Sequence, residues 1–150
     1  MNHTDDYRTA EYLARLPEGL KAIAGYLVQK PEAWCDMPFG DDAWVFKLDD
    51  KMFALVYRRN DVDCVNLKCD PQQALELRDV FESVTAGYHM NKRHWNTIQL
   101  QGDVPRGELE RMCDHSYGLV FKGLTKAKQR ALSTRYSEGE LLGADKPFTS

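Results

Sequence analysis

No apolar run in this chain approaches the roughly 18 residues that a membrane-spanning helix needs. The first residues, Met1-Asn2-His3-Thr4-Asp5-Asp6, are polar and acidic, the reverse of a secretory or organellar leader. With neither anchor nor address, a cytoplasmic protein with no membrane partner is expected. Cysteine is also scarce. Cys35, Cys64, Cys69 and Cys113 follow no CxxC rhythm, and only one pair lies close, five positions apart. A zinc site needs paired ligands at short repeated spacing, and disulfides do not persist in a reducing compartment. Four free thiols are therefore expected, with no metal and no cofactor. Gly40 and Gly102 fall in turns, and neither belongs to a Walker or GxGxxG pattern, so nothing cradles a nucleotide phosphate.

What the chain does have is apolar material for one core: 43 % of its 150 residues are hydrophobic and 29 % charged, which favours one domain over two. The net charge of −3 argues against a polyanionic partner, but it hides a gradient. Residues 1–46 are net −4, residues 47–87 net −2 and the tail 136–150 net −2. Residues 88–135 carry nine basic side chains against four acidic, net +5. Screening beyond about 8–10 Å lets a positive segment act locally within an acidic protein.

Thr4 or Asp5 is placed to cap a helix to about Leu16, with Tyr7, Ala10, Leu13 and Ala14 at helical spacing. Leu16-Pro17-Glu18-Gly19 interrupts it. Leu20, Ile23, Ala24 and Leu27 line a second helix that ends before Pro31. From Glu32 the period becomes two, and Ala33–Met37, Trp44–Leu48, Met52–Tyr57 and Cys64–Leu67 read as strands joined by short turns, a meander of hairpins. Asp70-Pro71 opens a helix with an apolar stripe of Ala74, Leu75, Leu77, Val80 and Phe81. Thr85 to Arg93 reads as an irregular loop, and Trp95–Leu100 as a fifth strand. A helix from about Arg106 to Phe121 and a short one capped by Thr125 follow. The expected fold is α+β: a two-layer sandwich of an antiparallel sheet of about five strands with helices on one face. Residues 1–19 are expected to be a helical extension, 20–135 the domain, and 136–150 a flexible tail.

Four segments carry a resemblance. They are Pro38-Phe39-Gly40-Asp41-Asp42 with Val45-Phe46-Lys47 and Lys51-Met52-Phe53-Ala54-Leu55; Val65-Asn66-Leu67-Lys68-Cys69-Asp70-Pro71; Gly87-Tyr88-His89-Met90-Asn91-Lys92-Arg93-His94-Trp95-Asn96-Thr97; and Asp114-His115-Ser116-Tyr117-Gly118-Leu119-Val120. In order and spacing, from Leu20 to Leu132, the chain resembles the MmcQ/YjbR family. The resemblance implies a CyaY-like (frataxin-like) α–β–α sandwich and a "double wing" mode of DNA binding. Residues 1–19 lie outside it, and Thr125 stands where the family often has proline.

The segment from His89 to Thr97 concentrates donors. Lys92 and Arg93 suit phosphates, Asn91 and His94 suit phosphate or base edges, and Trp95 suits stacking. The alternative is structural, with Asn91 and His94 bonded to backbone and Trp95 in the core. Lys47, Lys51 and Lys68, with Arg58 and Arg59, are candidates to extend the surface, although Asp49-Asp50 and Asp61/Asp63 oppose a polyanion there. Lys122, Lys126, Lys128 and Arg130 suit a helix end without any ligand.

Cys113-Asp114-His115-Ser116 holds the letters of a hydrolytic triad, but consecutive helical residues point about 100° apart and diverge. His89 and His94 lack a third metal ligand. Asp36, Asp41, Asp42, Asp49 and Asp50 are no iron ridge, because in the frataxin-like fold the relevant acids sit on the first helix, which here offers Glu18 alone. An enzyme is not expected. The expected function is DNA binding along the phosphate backbone with weak sequence selectivity. The alternative is a non-enzymatic adaptor for a protein or small ligand, motivated by the overall acidity, by the extra N-terminal helix as a protein-binding element, and by Trp34, Phe39 and Trp44 near turns.

Overall fold

The computed structural model of the protein describes residues 6–143. Its strands are β1 Ala33–Asp36, β2 Ala43–Leu48, β3 Lys51–Arg59, β4 Val62–Lys68, β5 Val84–Ala86 and β6 Trp95–Gln99. Its helices are α1 Asp6–Leu13, α2 Lys21–Val28, α3 Pro71–Val80, α4 Arg106–Lys122, α5 Lys126–Ser133 and α6 Glu138–Leu142. The strands form one antiparallel sheet in the order β1-β2-β3-β4-β6-β5. Asp49, and then Asn60 and Asp61, take left-handed backbone in the two hairpin turns, where the short polar side chains of Asn and Asp tolerate that conformation. No described helix is long and apolar enough to cross a membrane.

Register divides the sheet into two faces. Cys35, Phe46, Ala54 and Leu67 form one cross-strand row, and Trp44, Val56, Val65, Ile98 and Val84 the next. Both rows belong to the hydrophobic core, together with Leu20, Ile23 and Leu27 of the first helical region and Met112, Cys113, Tyr117, Val120 and Phe121 of α4. All helices serve this face, as the fold class requires. Each fully buried Leu, Val or Phe contributes about 1.5–3 kcal/mol.

A bulge improves the fit. Phe46 pairs with Ala54 while Lys47 pairs with Met52, so Phe53 is the extra residue and turns inward. Its ring meets Tyr117 edge-on at 5.2 Å, and its carbonyl accepts from the Ser116 hydroxyl at 2.6 Å.

The structure refines three expectations. The sheet has six strands: Val84–Ala86 lies within the stretch read as irregular. It is held by Asp103, whose carboxylate accepts from the backbone N–H groups of Glu82 and Ser83 and from the Ser83 hydroxyl. Three residues are too few to show a period. The tail is not free from residue 136 onward, because Ser137 and Glu140 form a capping box and Leu141, 2 % exposed, packs into the core. Finally, residues 6–19, expected as a helical extension, dock on the domain. Thr9 bonds to the backbone of Cys35, the Trp44 indole donates to the Tyr12 carbonyl at 2.9 Å, and Leu16 is buried. The apolar side of α1 is thereby turned inward, with Arg8 and Glu11 outward. The proposed caps at Thr4 and Asp5, and residues 144–150 of the tail, lie outside the described residues.

Candidate functional site on the open sheet face

The opposite face carries Trp34, Lys47 and Met52 in one row. Asp36, Val45, Leu55, Asn66, Thr97 and Thr85 form the next, and Ala43, Tyr57, Cys64 and Gln99 a third. Lys68 lies opposite Trp95, one position beyond the Leu67–Asn96 pair. Among the described residues no helix covers this face. Its two halves are treated differently.

Over β4 and β6 the loop 87–94 folds back and is fixed there by hydrogen bonds. The Tyr88 N–H donates to Thr97 Oγ1 at 2.8 Å, and the Tyr88 carbonyl accepts from Asn66 Nδ2 at 3.1 Å. Asn66 Oδ1 in turn accepts from the hydroxyls of Tyr57 at 2.8 Å and Thr97 at 2.7 Å. Gly87 donates to the Trp95 carbonyl at 2.8 Å. A Cβ at Gly87 would stand 2.7 Å from that of Trp95, so only glycine permits the approach. His89 turns the chain with a left-handed φ of 60°.

Over β2 and β3 the face is closed only in part: Val45 and Tyr57 are buried, whereas Ala43, Met52 and Leu55 stay half-exposed. A shallow hollow of about 480 Å³ remains, floored by Ala43, Met52, Leu55 and Tyr57 and walled by Phe39, Tyr88 and Met90. Phe39 is 69 % exposed. Asp42, Arg58, Arg59 and His89 complete the rim. The Arg59 guanidinium lies over the Tyr88 ring, 4.0 Å from its centroid. Tyr88 also stacks beside Tyr57 at 6.3 Å and lies tilted against His89 at 4.1 Å. Arg58 forks onto Asp63 at 2.6 and 3.3 Å, which holds the Asp63 carboxyl below the usual aspartate range.

The residues singled out from sequence fall around this face without forming one cationic surface. Lys92 donates its ammonium to the Gly87 carbonyl at 2.7 Å, and its own carbonyl accepts from Arg78. Asn91 accepts from the Arg93 N–H at 2.9 Å, and the His94 carbonyl accepts from Cys69 at 2.7 Å, so both order the loop. Trp95 is buried at 9 % exposure. Lys47 pairs with Asp36 at 3.1 Å over the Trp34 ring. Lys51 and Arg93 are exposed and Lys68 half-exposed, and all three stand at the same end of the sheet.

Nor is the +5 segment one surface. Arg106, Arg111, Lys128 and Arg135 pair with Glu110, Glu108, Asp49 and Glu32, and Lys122, Lys126 and Arg130 sit on the helical layer.

The divergence expected of Cys113 to Ser116 is observed. Cys113 is in the core, and Asp114 accepts from Tyr26 at 2.7 Å and Lys30 at 2.9 Å. His115 Nε2 accepts from the Asp70 N–H, and Ser116 bonds to Phe53 and Lys68. All four cysteines are free and buried. Burial pushes the thiols of Cys35 and Cys69 up to about 12 and raises that of Cys113 further, so at neutral pH they are protonated and poor nucleophiles.

Sequence reading missed the hollow itself. Met52, Leu55, Tyr88 and Met90 carry it and none was singled out as binding. One signal was present: Met52–Tyr57 is apolar on both faces of its strand, although a strand with one solvated face alternates.

The YjbR family model matches residues 28–119. The chain is 37 % identical over 93 residues to "Uncharacterized protein YbdF" of Escherichia coli O157:H7, covering 62 % of this chain and 76 % of that protein. It is 31 % identical over 113 residues to "Uncharacterized protein YjbR" of Escherichia coli K12, covering 75 % and 96 %. Among solved structures, the Deinococcus radiodurans protein DR2400, with a DUF419 domain, superposes with a TM-score of 0.70 at 34 % identity, over 79 % of this chain and 92 % of that one.

Proposed function

This chain belongs to the YjbR family, and we propose that it is a non-enzymatic binding module that takes its partner on the open face of its sheet. The observation that carries this reading is the uncovered apolar hollow over β2 and β3, with Phe39 standing exposed at its wall. Burying a phenylalanine is worth about 1.5–3 kcal/mol, so leaving one beside a concave apolar floor gives up stability unless something else covers it. Contiguous exposed apolar surface of this kind marks interaction sites, and its Tyr, Phe, Met and Arg are the types enriched at interfaces. Chemistry has less to work with: the thiols are buried and protonated, and Asp114, His115 and Ser116 are each bonded to a different element.

The test is site-specific photo-crosslinking in cells, with a benzophenone side chain at position 39 and, as control, at Val80, an exposed residue of α3. A discrete adduct is expected from position 39, absent from position 80, lost on Leu55→Glu and unaffected by nuclease. Equal adducts at both positions, or indifference to Leu55→Glu, would refute the reading.

A second reading has its own observation. Among the described residues, Lys51, Lys68 and Arg93 form no ion pair with a carboxylate and share one end of the sheet, a place where DNA phosphates would be met. Anisotropy titration of a DNA duplex at low salt compares wild type with the Lys51→Ala/Arg93→Ala double variant. The nucleic-acid reading expects a Kd below about 100 μM and a salt slope reduced by about two units in the variant; no binding at that concentration removes it.

A further inference from the structure

We infer that the occupant of the hollow is a protein segment presenting a bulky apolar side chain beside a carboxylate, with the carboxylate received by Arg59. This rests on the open-face reading and specifies its partner. The charge on the rim selects the sign. Arg58 is already occupied by Asp63, whereas Arg59 forms no ion pair among the described residues and sits over the Tyr88 ring, 4.0 Å from its centroid. A guanidinium seated over an aromatic ring keeps its N–H donors available for an acceptor. Those are the donors that grip a carboxylate in bidentate fashion. The ring fixes the guanidinium in advance, so less side-chain freedom is lost on binding. Asp42 on the same rim repels a second acid, so the carboxylate enters on the Tyr88 side.

Shape and ring geometry set the class. A small ligand is usually buried over most of its surface in a deep cleft, but this hollow is shallow and lies on a sheet face. One projecting side chain of a larger body fills it while Phe39 packs alongside. Two methionines, Met52 and Met90, give the floor and wall an adaptable surface suited to such a side chain. A single-stranded nucleic acid needs free ring faces on which bases stack. Here Tyr88 is covered by Arg59 and flanked by Tyr57 and His89, and Tyr57 is itself buried. Among the described lining residues Phe39 is the most exposed large apolar ring.

The experiment selects random peptides of about a dozen residues by display against the full chain and measures the enriched peptides by fluorescence anisotropy. Enriched sequences are expected to carry a large apolar residue within about one helical turn of Asp or Glu. Leu55→Glu and Arg59→Glu should each weaken them about tenfold or more, with Lys126→Glu, exposed on the helical layer, as an unaffected control. Replacing the peptide's acid by lysine should abolish binding to wild type and restore it to Arg59→Glu. That exchange separates a direct ion pair from a general loss of structure, and Arg59→Gln, with a thermal melt, provides the milder variant. Peptides that depend on Leu55 but lack an acid or ignore Arg59→Glu would overturn this inference and leave the open-face reading standing. Failure to enrich any peptide sensitive to Leu55→Glu would overturn both. So would a single-stranded oligonucleotide that displaces the peptides at equal affinity.

Discussion

Trp44, Phe46 and Val56 on one side of the sheet and Val45, Leu55 and Tyr57 on the other come from the same two strands, in alternation. The first set is sealed by α4 and the first helical region. The second face carries a hydrogen-bonded loop over β4 and β6 and the hollow over β2 and β3, where Val45 and Tyr57 are buried and Leu55 half-exposed. Apolar packing under helices is non-directional and makes stability. The polar half holds a loop in one place, because Asn66, Tyr57, Thr97 and Tyr88 satisfy one another. The half with the hollow does neither, and it is there that the proposed recognition sits.

The sharpest way to break this comparison is to damage the covered face. Phe46→Ala removes a fully buried ring and should cost about 3–5 kcal/mol, read as a lower denaturation midpoint at unchanged slope. If the loss stays under about 1 kcal/mol, the core is not where the fold is held. A smaller effect is expected from Asn66→Leu, which leaves the Tyr57 hydroxyl without its acceptor and the Tyr88 carbonyl without its donor. The expected cost is about 1–3 kcal/mol, with faster amide exchange confined to the loop 87–94. Uniformly faster exchange would mean that the loop is not closed by this residue.

These two faces were not equally legible. The covered face was: alternation placed four strands of the meander and β6 to within two residues or so. Asp70-Pro71 and Thr125 announced α3 and α5 through caps that the structure reproduces. β5 was hidden because three residues show no period and its anchor, Asp103, lies twenty positions from Ser83. The capping box at Ser137 and Glu140 sits in a short polar, glycine-bearing stretch whose composition reads as tail. The open face was harder for a physical reason. Charge counts suggested a cationic loop, but whether Lys92 meets a phosphate or the Gly87 carbonyl depends on where the chain folds back. Arg59 finds its ring in Tyr88, twenty-nine positions away.

His115 gives a pH-dependent test at the covered face's edge. Burial lowers its pKa from 6.5, with Lys122 adding to the shift and Asp70 opposing it. Its Nε2 accepts from the Asp70 N–H at the start of α3, so the folded state favours the neutral ring and binds the proton more weakly than the unfolded chain. Stability from this group is therefore complete above about pH 6.5 and declines as pH falls through that value. Urea midpoints measured from about pH 7.5 down to 5, above the range where carboxylates titrate, should fall for wild type. His115→Gln, which keeps an acceptor but takes up no proton, should flatten the profile. An unchanged slope in the variant would place the titration elsewhere.

The smallest expected change in stability is the most informative about the half with the hollow. Phe39 is largely exposed, so Phe39→Ser should shift unfolding by no more than about 0.5 kcal/mol. In Phe46→Ala the binding of selected peptides should persist wherever the protein remains folded, because the hollow lies on the other face. In Phe39→Ser it should drop about tenfold or more while the melt is unchanged. This opposite pairing of effects separates recognition from folding, since a residue whose ring mattered only for the fold would move the melt and binding together. Should Phe39→Ser leave peptide affinity intact, the exposed ring is incidental and the division of labour between the two faces fails on the side that carries function.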